Sequence, residues 1–90
     1  MKTQPLVSVI IPNWNGARFL PTCLDALRRQ TYAPMEVIVV DNASRDESLS
    51  LLQSSYPEVQ VVALQQNLGL TGGVNAGIRA SRGEIIALLN

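Results

Sequence analysis

The sequence predicts an α/β fold, a three-layer sandwich built around a parallel sheet. Four apolar stretches of strand length recur along the chain, and each of the first three leads into polar residues and then a helical stretch. This alternation is typical of right-handed βαβ crossovers. We predict the element order β-α-β-α-β-α-β, with the four strands arranged 3-2-1-4 in the sheet.

The first strand is predicted over about residues 6–12, and it leads into a polar tip. Pro12 lacks the amide proton that a sheet ladder requires, so we expect the strand to end there. Ligands of open parallel sheets bind at the carboxyl ends of the strands. The tip is therefore a candidate binding loop, with the side chains of Asn13, Trp14 and Asn15.

The remaining strands are predicted at about residues 36–41, 59–64 and 84–89. In the order 3-2-1-4 the first strand is central, and the crevice between the first and fourth strands should be faced by the residues 12–15, 41–44 and Asn90. The fourth strand lies at an edge and is rich in Ile and Leu, so we expect it to invite pairing with a second copy of the chain.

Three helical segments connect these strands, at about residues 17–30, 46–56 and 73–81. We expect Asn15 to cap the first helix. Pro21 is compatible with that helix because it falls near the first turn. Ser44 and Glu47 have the spacing of a capping box for the second helix.

The bulk composition limits the classes of function. The 90 residues form one domain, and 7 basic residues balance 7 acidic residues, so no electrostatic footprint for nucleic acid is present. The absence of histidine excludes a zinc site or a Ser/His/Asp triad within these residues. No stretch is long and apolar enough for a membrane segment, and the single cysteine, Cys23, suits a cytoplasmic location.

Asp41 and Trp14 are the candidate binding residues that position alone suggests. Asp41 ends the second strand, where its carboxylate either accepts hydrogen bonds from a nucleoside or braces the following turn. Trp14 either stacks on a base or sugar or covers the top of the sheet. Asn13 and Asn15 hold a ligand or serve as turn residues, and position alone leaves these alternatives open.

The segment from Asn67 to Gly77 is rich in glycine, and we predict a loop over 65–73 with a helix starting behind it. Such a segment allows a close approach of main-chain amides to an anion. It lacks the ending of a P-loop and does not follow the first strand as a dinucleotide fingerprint does. Gly77 is predicted to allow close packing of the helix on the sheet rather than ligand contact.

Three motifs in order resemble the nucleotide-binding half of the inverting family 2 glycosyltransferases of GT-A fold, a Rossmann-like N-terminal half. They are Val-Ser-Val-Ile-Ile-Pro-Asn-Trp-Asn-Gly at 7–16, Val-Val-Asp-Asn-Ala-Ser-Arg-Asp at 39–46, and Asn-Leu-Gly at 67–69 with Gly73, Asn75 and Gly77. The Pro-Asn-Trp-Asn and Gly-Gly-x-Asn variants look more similar to the rhamnosyltransferase-type branch.

The resemblance implies a donor-binding role for specific residues. The donor would be a nucleoside diphosphate sugar carrying UDP, dTDP or GDP. Contacts to its nucleoside are implied for Pro12, Trp14 and Asp41, with Asp41 accepting from the base. The pocket would be shaped by Asn13, Asn15, Asn42 and Ser44, and the diphosphate and sugar would be bordered by Asn67, Gly72, Gly73 and Asn75.

The resemblance also implies what lies outside these residues. In the family a motif of the type Asp-x-Asp follows the fourth strand and binds Mn²⁺ or Mg²⁺, and a later carboxylate acts as general base. The sequence ends at Asn90, where that motif should begin. We therefore expect a donor-binding fragment that binds no metal and transfers little or no sugar alone. The expected context is polysaccharide or glycoconjugate synthesis, at the inner face of the membrane in the full-length protein.

Other functions compatible with the same elements stay open. A sugar-nucleotide pyrophosphorylase would need a glycine-rich and basic loop after the first strand, which Asn13, Trp14 and Asn15 do not supply. A receiver-like domain would need an acidic cluster there. A non-catalytic nucleotide-binding or assembly module is the alternative to the enzyme fragment.

Overall fold

A computed structural model of the protein describes residues 4–90 and contains a four-stranded parallel sheet in the order β3-β2-β1-β4. The strands are β1 (Val7–Asn13), β2 (Met35–Asp41), β3 (Gln60–Ala63) and β4 (Ile85–Leu88). The helices are α1 (Leu20–Arg28), α2 (Ser48–Ser55) and α3 (Gly69–Ala80). The predicted element order, parallel pairing and strand order are confirmed.

The three layers are set by the alternation of side chains along the central strands. Val9, Ile11 and Val39 point to the face that α1 and α2 cover, where they pack against Leu24 and Leu52. The alternate residues of the same strands point to the other face, where Ile10, Ile38 and Val40 contact Ala76 of α3. Both faces of the central strands are therefore buried, which explains their nearly continuous apolar sequence.

Close packing of α3 on the sheet depends on Gly77. A Cβ atom at this position would lie 2.5 Å from Ile10 Cγ2 and 3.0 Å from Val40 Cγ2. These separations are far below normal carbon contacts. The prediction that Gly77 serves helix–sheet packing is confirmed.

The first strand runs one residue beyond the predicted end, because Asn13 pairs with Asp41 of β2. The main chain of Ile10 faces β4, where its carbonyl accepts from the Leu89 amide. By alternation Pro12 also faces that side, beyond the last paired residues of β4. The missing amide proton of Pro12 therefore costs no ladder hydrogen bond, and the strand continues along β2.

Both predicted helix caps are wrong. The α1 helix begins at Leu20 after Phe19, with Pro21 in its first turn, and Asn15 lies outside it with a positive φ of 51°. The α2 helix begins at Ser48, and neither Ser44 nor Glu47 makes a capping hydrogen bond. Asn15 and Ser44 instead bond to each other's loops, and both helices are shorter than predicted.

The third helix begins four residues before its predicted start. Residues 69–73, which we predicted as loop, form its first turns. Gly69 has a φ of +74°, which glycine adopts without strain, and it directs the chain into the helix. The glycine-rich segment is therefore mostly helix, and its glycines serve the turn and the packing of that helix.

The fourth strand has one partner, β1, among residues 4–90, and it is anchored at its start. The buried Ser8 hydroxyl donates to Glu36 and accepts from the Gly83 amide. The outer edge of β4 stays uncovered, with Ile85 and Leu88 47% and 49% exposed. Within residues 4–90 no helix has the length and apolar character needed to cross a membrane.

Candidate functional site

Three clefts open at the carboxyl edge of the sheet, and Trp14 borders all of them. The β2–β3 cleft, about 660 Å³, lies between the tips of those two strands. The central cleft, about 270 Å³, lies between the β1 tip and the start of α3. The α1 cleft, about 400 Å³, lies between Trp14 and Leu89 on the α1 side. The indole of Trp14 is 58% exposed, so a flat ligand face has access to it.

The Asp41 carboxylate stands at the β2–β3 cleft and is fully buried. Its Oδ1 atom accepts from Asn13 Nδ2 at 3.0 Å and from the Ser44 hydroxyl at 2.7 Å. Its Oδ2 atom accepts from the Ser44 amide at 3.0 Å. The three donors satisfy the buried charge in the way that a buried carboxylate requires. Asp41 therefore braces the turn after β2, which is one of the two roles that the sequence suggested for it.

Ser44 and Asn15 tie the β1 loop to the β2 loop. The Ser44 hydroxyl accepts from the Asn15 amide at 2.8 Å, while Asn15 Oδ1 accepts from the amide of Arg45 at 2.7 Å. These two residues therefore hold the loops side by side behind Trp14, instead of capping their own helices.

Asp46 continues the same connection toward α1 and α2. One of its oxygens accepts from the Ala17 amide and the other from the Ser48 amide, both at 3.0 Å. Burial works against ionisation of this carboxyl, yet the hydrogen bonds from Ser48 and Ala17 lower the pKa of Asp46 overall. The loops that form the wall of the site are thus held by hydrogen bonds to a charged group.

Asn42 fixes the start of α3 against the β2 tip. Its Oδ1 atom accepts from the Leu68 amide at 3.0 Å, and its Nδ2 atom donates to the Gly69 carbonyl at 3.1 Å. Gly73 permits this contact, because a Cβ atom there would lie 2.8 Å from Asn42 Nδ2. Asn67 Oδ1 accepts from the Gly69 amide at 2.7 Å, which completes the turn.

The crevice expected beside the first strand is present. Seven of the predicted site residues border the β2–β3 cleft or the central cleft, namely Pro12, Asn13, Trp14, Asp41, Asn42, Ser44 and Asn67. Four others border none of the three clefts. Asn15 is a loop brace, Gly72 and Gly73 lie within α3, and Asn75 is exposed on that helix.

Several cleft residues were missed from sequence. Gln65 and Gln66 follow β3 after Leu64 and border the β2–β3 cleft, together with Arg45. Their position near the carboxyl end of a strand could have identified the two glutamines, since the same position identified Asp41. Arg45 carried no comparable signal, because a single arginine in a loop is normally a solvated surface residue.

The α1 cleft contains Cys23, whose thiol is not an activated nucleophile. Burial raises the pKa of this thiol, so the protonated form predominates at neutral pH. The exposed ring of Phe19 borders the same cleft and carries the Arg18 guanidinium 5.2 Å from its centre. This cleft is therefore an apolar and aromatic surface, in contrast to the polar β2–β3 cleft.

The described residues do not fit a metal site. No three Asp, Glu, Cys or His side chains come together anywhere in residues 4–90. The carboxylate that borders the clefts, Asp41, directs its oxygens to Asn13 and Ser44. We therefore assign no metal ligand to this part of the chain and derive no step through a metal.

The sheet order defines an α/β fold with a cleft-lined edge at the strand ends, and comparison with known proteins narrows the class. The sequence profile described as Glycosyl transferase family 2 matches residues 8–90, so the chain belongs to that family of glycosyltransferases. An uncharacterized glycosyltransferase of Nostoc sp. is 37% identical over 87 residues, which covers 93% of this chain and 27% of that protein.

Two solved structures share the fold and belong to GT-A glycosyltransferases. The mannosyltransferase PcManGT of Pyrobaculum calidifontis, in complex with GDP-Man and Mn²⁺, superimposes with a TM-score of 0.80 at 30% identity over 93% of this chain and 26% of that one. TarS 1-349 of S. aureus, in complex with UDP-GlcNAc, gives 0.83 at 27% identity over 92% and 25%. The chain spans about a quarter of the length of these relatives.

Proposed function

We propose that the β2–β3 and central clefts bind a nucleoside diphosphate sugar, and that the chain is the donor-binding part of an inverting glycosyltransferase. The observation that carries the proposal is the pairing of an exposed indole, Trp14, with a buried acceptor, Asp41, at one cleft. An aromatic face and a fixed acceptor are what a nucleobase needs for stacking and for edge recognition.

The polar side chains around this pair support the same ligand. Arg45 supplies a positive charge at the β2–β3 cleft, and Gln65 and Gln66 supply amide donors and acceptors. Asn67 borders both polar clefts and so connects them into one elongated surface. We infer that the nucleoside occupies the β2–β3 cleft and that the diphosphate and sugar extend toward Asn90.

The chemistry we propose for the whole enzyme is attack of an acceptor hydroxyl on the anomeric carbon, with the nucleoside diphosphate as leaving group and inversion at that carbon. A general base must take the proton from the hydroxyl. Asp41 is unsuited to that role, because it is buried and already accepts three hydrogen bonds. These residues therefore bind and orient the donor and transfer little or no sugar alone.

PcManGT was solved with Mn²⁺. For the full-length enzyme we propose a divalent ion, Mn²⁺ or Mg²⁺, held by residues outside this chain. We also propose a role in polysaccharide or glycoconjugate synthesis, in the cytoplasm or at the inner face of the membrane. Measurable sugar transfer by the purified 90-residue chain would overturn the proposal that the donor-binding residues are insufficient.

An assembly role is the second candidate, and one observation favours it. The β4 edge exposes Ile85, Ile86 and Leu88 beside main-chain groups that have no strand partner within residues 4–90. Such an edge is a template for strand pairing between copies. On this alternative the chain self-associates and binds no nucleotide.

Calorimetric titration of the chain with UDP, dTDP and GDP tests the proposed donor site. We expect binding, and we expect Trp14→Ala to weaken it roughly ten-fold, since stacking on an aromatic ring contributes about 1–3 kcal/mol per base. Phe19→Ala is the matched control, because Phe19 is also an exposed aromatic residue but borders only the α1 cleft among the three clefts. Loss of affinity in both variants, or in neither, contradicts the assignment of the nucleoside to the β2–β3 cleft.

A further inference from the structure

The amide oxygen of Asn13 accepts no hydrogen bond from residues 4–90. Asn13 is only 7% exposed, and its Nδ2 atom donates to the Asp41 carboxylate, which fixes the orientation of the amide group. The enclosed side-chain oxygens that lack a partner in this part of the chain belong to Glu36 and Ser48, so Asn13 Oδ1 is accessible to a ligand. A buried acceptor without a partner favours a ligand that carries a hydrogen-bond donor.

This oxygen lies at the α1 cleft, and Gly16 keeps it uncovered. A Cβ atom at position 16 would collide with Asn13 Oδ1. Gly16 borders the α1 cleft and neither of the other two clefts, whereas Asn13 borders the α1 cleft and the central cleft. The glycine therefore leaves space beside the oxygen on the α1 side of the β1 loop.

Two exposed aromatic rings border the same cleft. Trp14 is 58% exposed and Phe19 is 67% exposed. Leu20 and Leu89 add aliphatic surface, and among the described residues no charged side chain borders the cleft. Its volume of about 400 Å³ falls in the range of small-molecule sites, about 300–1,000 Å³. An uncharged ligand with an apolar face and hydroxyl groups fits this lining. A pyranose ring has both, because its C–H face packs on aromatic rings and its hydroxyls donate to amide oxygens.

We propose that the α1 cleft binds the saccharide acceptor, with a pyranose ring against Trp14 and Phe19 and one of its hydroxyls donating to Asn13 Oδ1. The inference rests on the proposed function, in which the donor sugar extends toward Asn90. Asn90 borders both the central cleft and the α1 cleft. A saccharide in the α1 cleft therefore lies beside the donor sugar, where an acceptor hydroxyl must be held to reach the anomeric carbon.

A ¹⁵N NMR titration of the wild-type chain with methyl α-D-mannopyranoside and with methyl N-acetyl-β-D-glucosaminide tests the site. We expect at least one of these glycosides to shift the amide signals of 16–20 and 89–90. Glycerol at the same concentration is the control, because it carries hydroxyls but has no ring to pack against the aromatic side chains. If neither glycoside shifts these amides, or if glycerol shifts them equally, the inference is overturned.

Parallel titrations with UDP and UDP-GlcNAc separate this inference from the proposed function. If UDP shifts the amides of 41–45 and 65–67 but the glycosides do not shift 16–20, the proposed function stands and the acceptor site is overturned. Glycoside shifts without any UDP shifts support the saccharide site and overturn the donor site. If UDP-GlcNAc shifts 16–20 and UDP does not, the cleft holds the donor's own sugar, and the acceptor assignment is overturned.

Variants of the cleft provide a second test. Phe19→Ala should weaken glycoside binding several-fold and leave UDP binding unchanged, because Phe19 borders only the α1 cleft among the three clefts. Tyr32→Ala is the matched control, since Tyr32 is also an exposed aromatic residue but borders none of them. Gly16→Ala should also weaken glycoside binding, because the added methyl group would cover Asn13 Oδ1. Equal glycoside affinity in the wild type, Phe19→Ala and Tyr32→Ala contradicts the site, and this comparison decides the question if Gly16→Ala does not fold.

Discussion

Asn13 Nδ2 donates a 3.0 Å hydrogen bond to Asp41 Oδ1, and this bond joins the last residues of the two central strands. The two residues are register partners in β1 and β2, so the sheet itself sets their separation. Asp41 therefore stabilises the loops at the strand ends, because its carboxylate accepts from Asn13 and from Ser44.

Replacing Gly77 by alanine tests the close packing of α3. The added methyl group would meet Ile10 and Val40, and overpacking a core costs about 1–3 kcal/mol. A gain in helix propensity of about 1 kcal/mol offsets part of this cost. We therefore expect a net loss of stability of up to about 2 kcal/mol in urea denaturation.

Thr71→Ala is the control for that measurement, because Thr71 is exposed on the same helix. Its effect should stay within about 0.5 kcal/mol, as for most surface substitutions. A Gly77→Ala protein as stable as the wild type would show that the helix can move away from Ile10 without cost.

Replacing Asn42 by alanine tests the attachment of the α3 start. The change removes the acceptor of the Leu68 amide and the donor to the Gly69 carbonyl. We expect a loss of about 1–3 kcal/mol, because two hydrogen bonds are lost and each contributes about 0.5–1.5 kcal/mol. Amide hydrogen exchange should accelerate at Leu68. Asn75→Ala, an exposed change on the same helix, should leave that exchange rate unchanged; equal rates in all three proteins would refute the attachment.

The Arg28–Glu58 ion pair predicts a specific pH dependence. Hydrogen bonds from Arg28 lower the pKa of Glu58 from 4.5 to about 2 in the folded protein. A carboxyl whose pKa is lower in the folded state contributes stability above its unfolded pKa and loses it as the pH falls through its folded pKa. The stabilising effect should therefore be complete above pH 4.5 and disappear near pH 2.

The urea midpoints of the wild type and Glu58→Gln, measured across that pH range, test this dependence. The difference between the two proteins should shrink as the pH falls, and it should be small throughout because both side chains are about half exposed. Gln53→Asn, an uncharged exchange at an exposed position of α2, should show no such trend. A difference that is constant with pH would mean that the pair does not stabilise the fold.

The β4 edge predicts self-association at high protein concentration. Ile86→Lys should shift the weight-average mass toward the monomer in sedimentation equilibrium, because lysine on an edge strand opposes pairing. Gln53→Lys adds the same charge at an exposed position of α2 and should leave the mass unchanged. A wild-type protein that stays monomeric at high concentration contradicts the prediction directly.

The sheet order could be predicted from the sequence because the features that determine it are local and recur along the chain. Apolar strands, intervening helices and the handedness of crossovers leave few arrangements open. The seven residues that reach the two polar clefts were found for a related reason. They stand at or near strand ends or at the start of α3, and parallel strands bring their carboxyl ends to one edge.

The errors concern residues whose partners are distant in sequence. Asn15 and Ser44 belong to types that cap helices, and nothing local showed that they bond to each other across 29 residues. The start of α3 was predicted too late because glycine weakens helices in isolation. Contacts with Asn42 and with Ile10 of the sheet hold this helix despite its glycines, and neither contact has a local signature.

The most direct measurement is a ¹⁵N NMR titration of the chain with UDP at millimolar concentration. We predict that the largest shifts fall on the Trp14 indole N–H and on the amides of 41–45 and 65–67, around the β2–β3 cleft. Absence of any shift would contradict the donor-binding function. Shifts confined to the opposite end of the sheet, around Arg28 and Met35, would contradict the site.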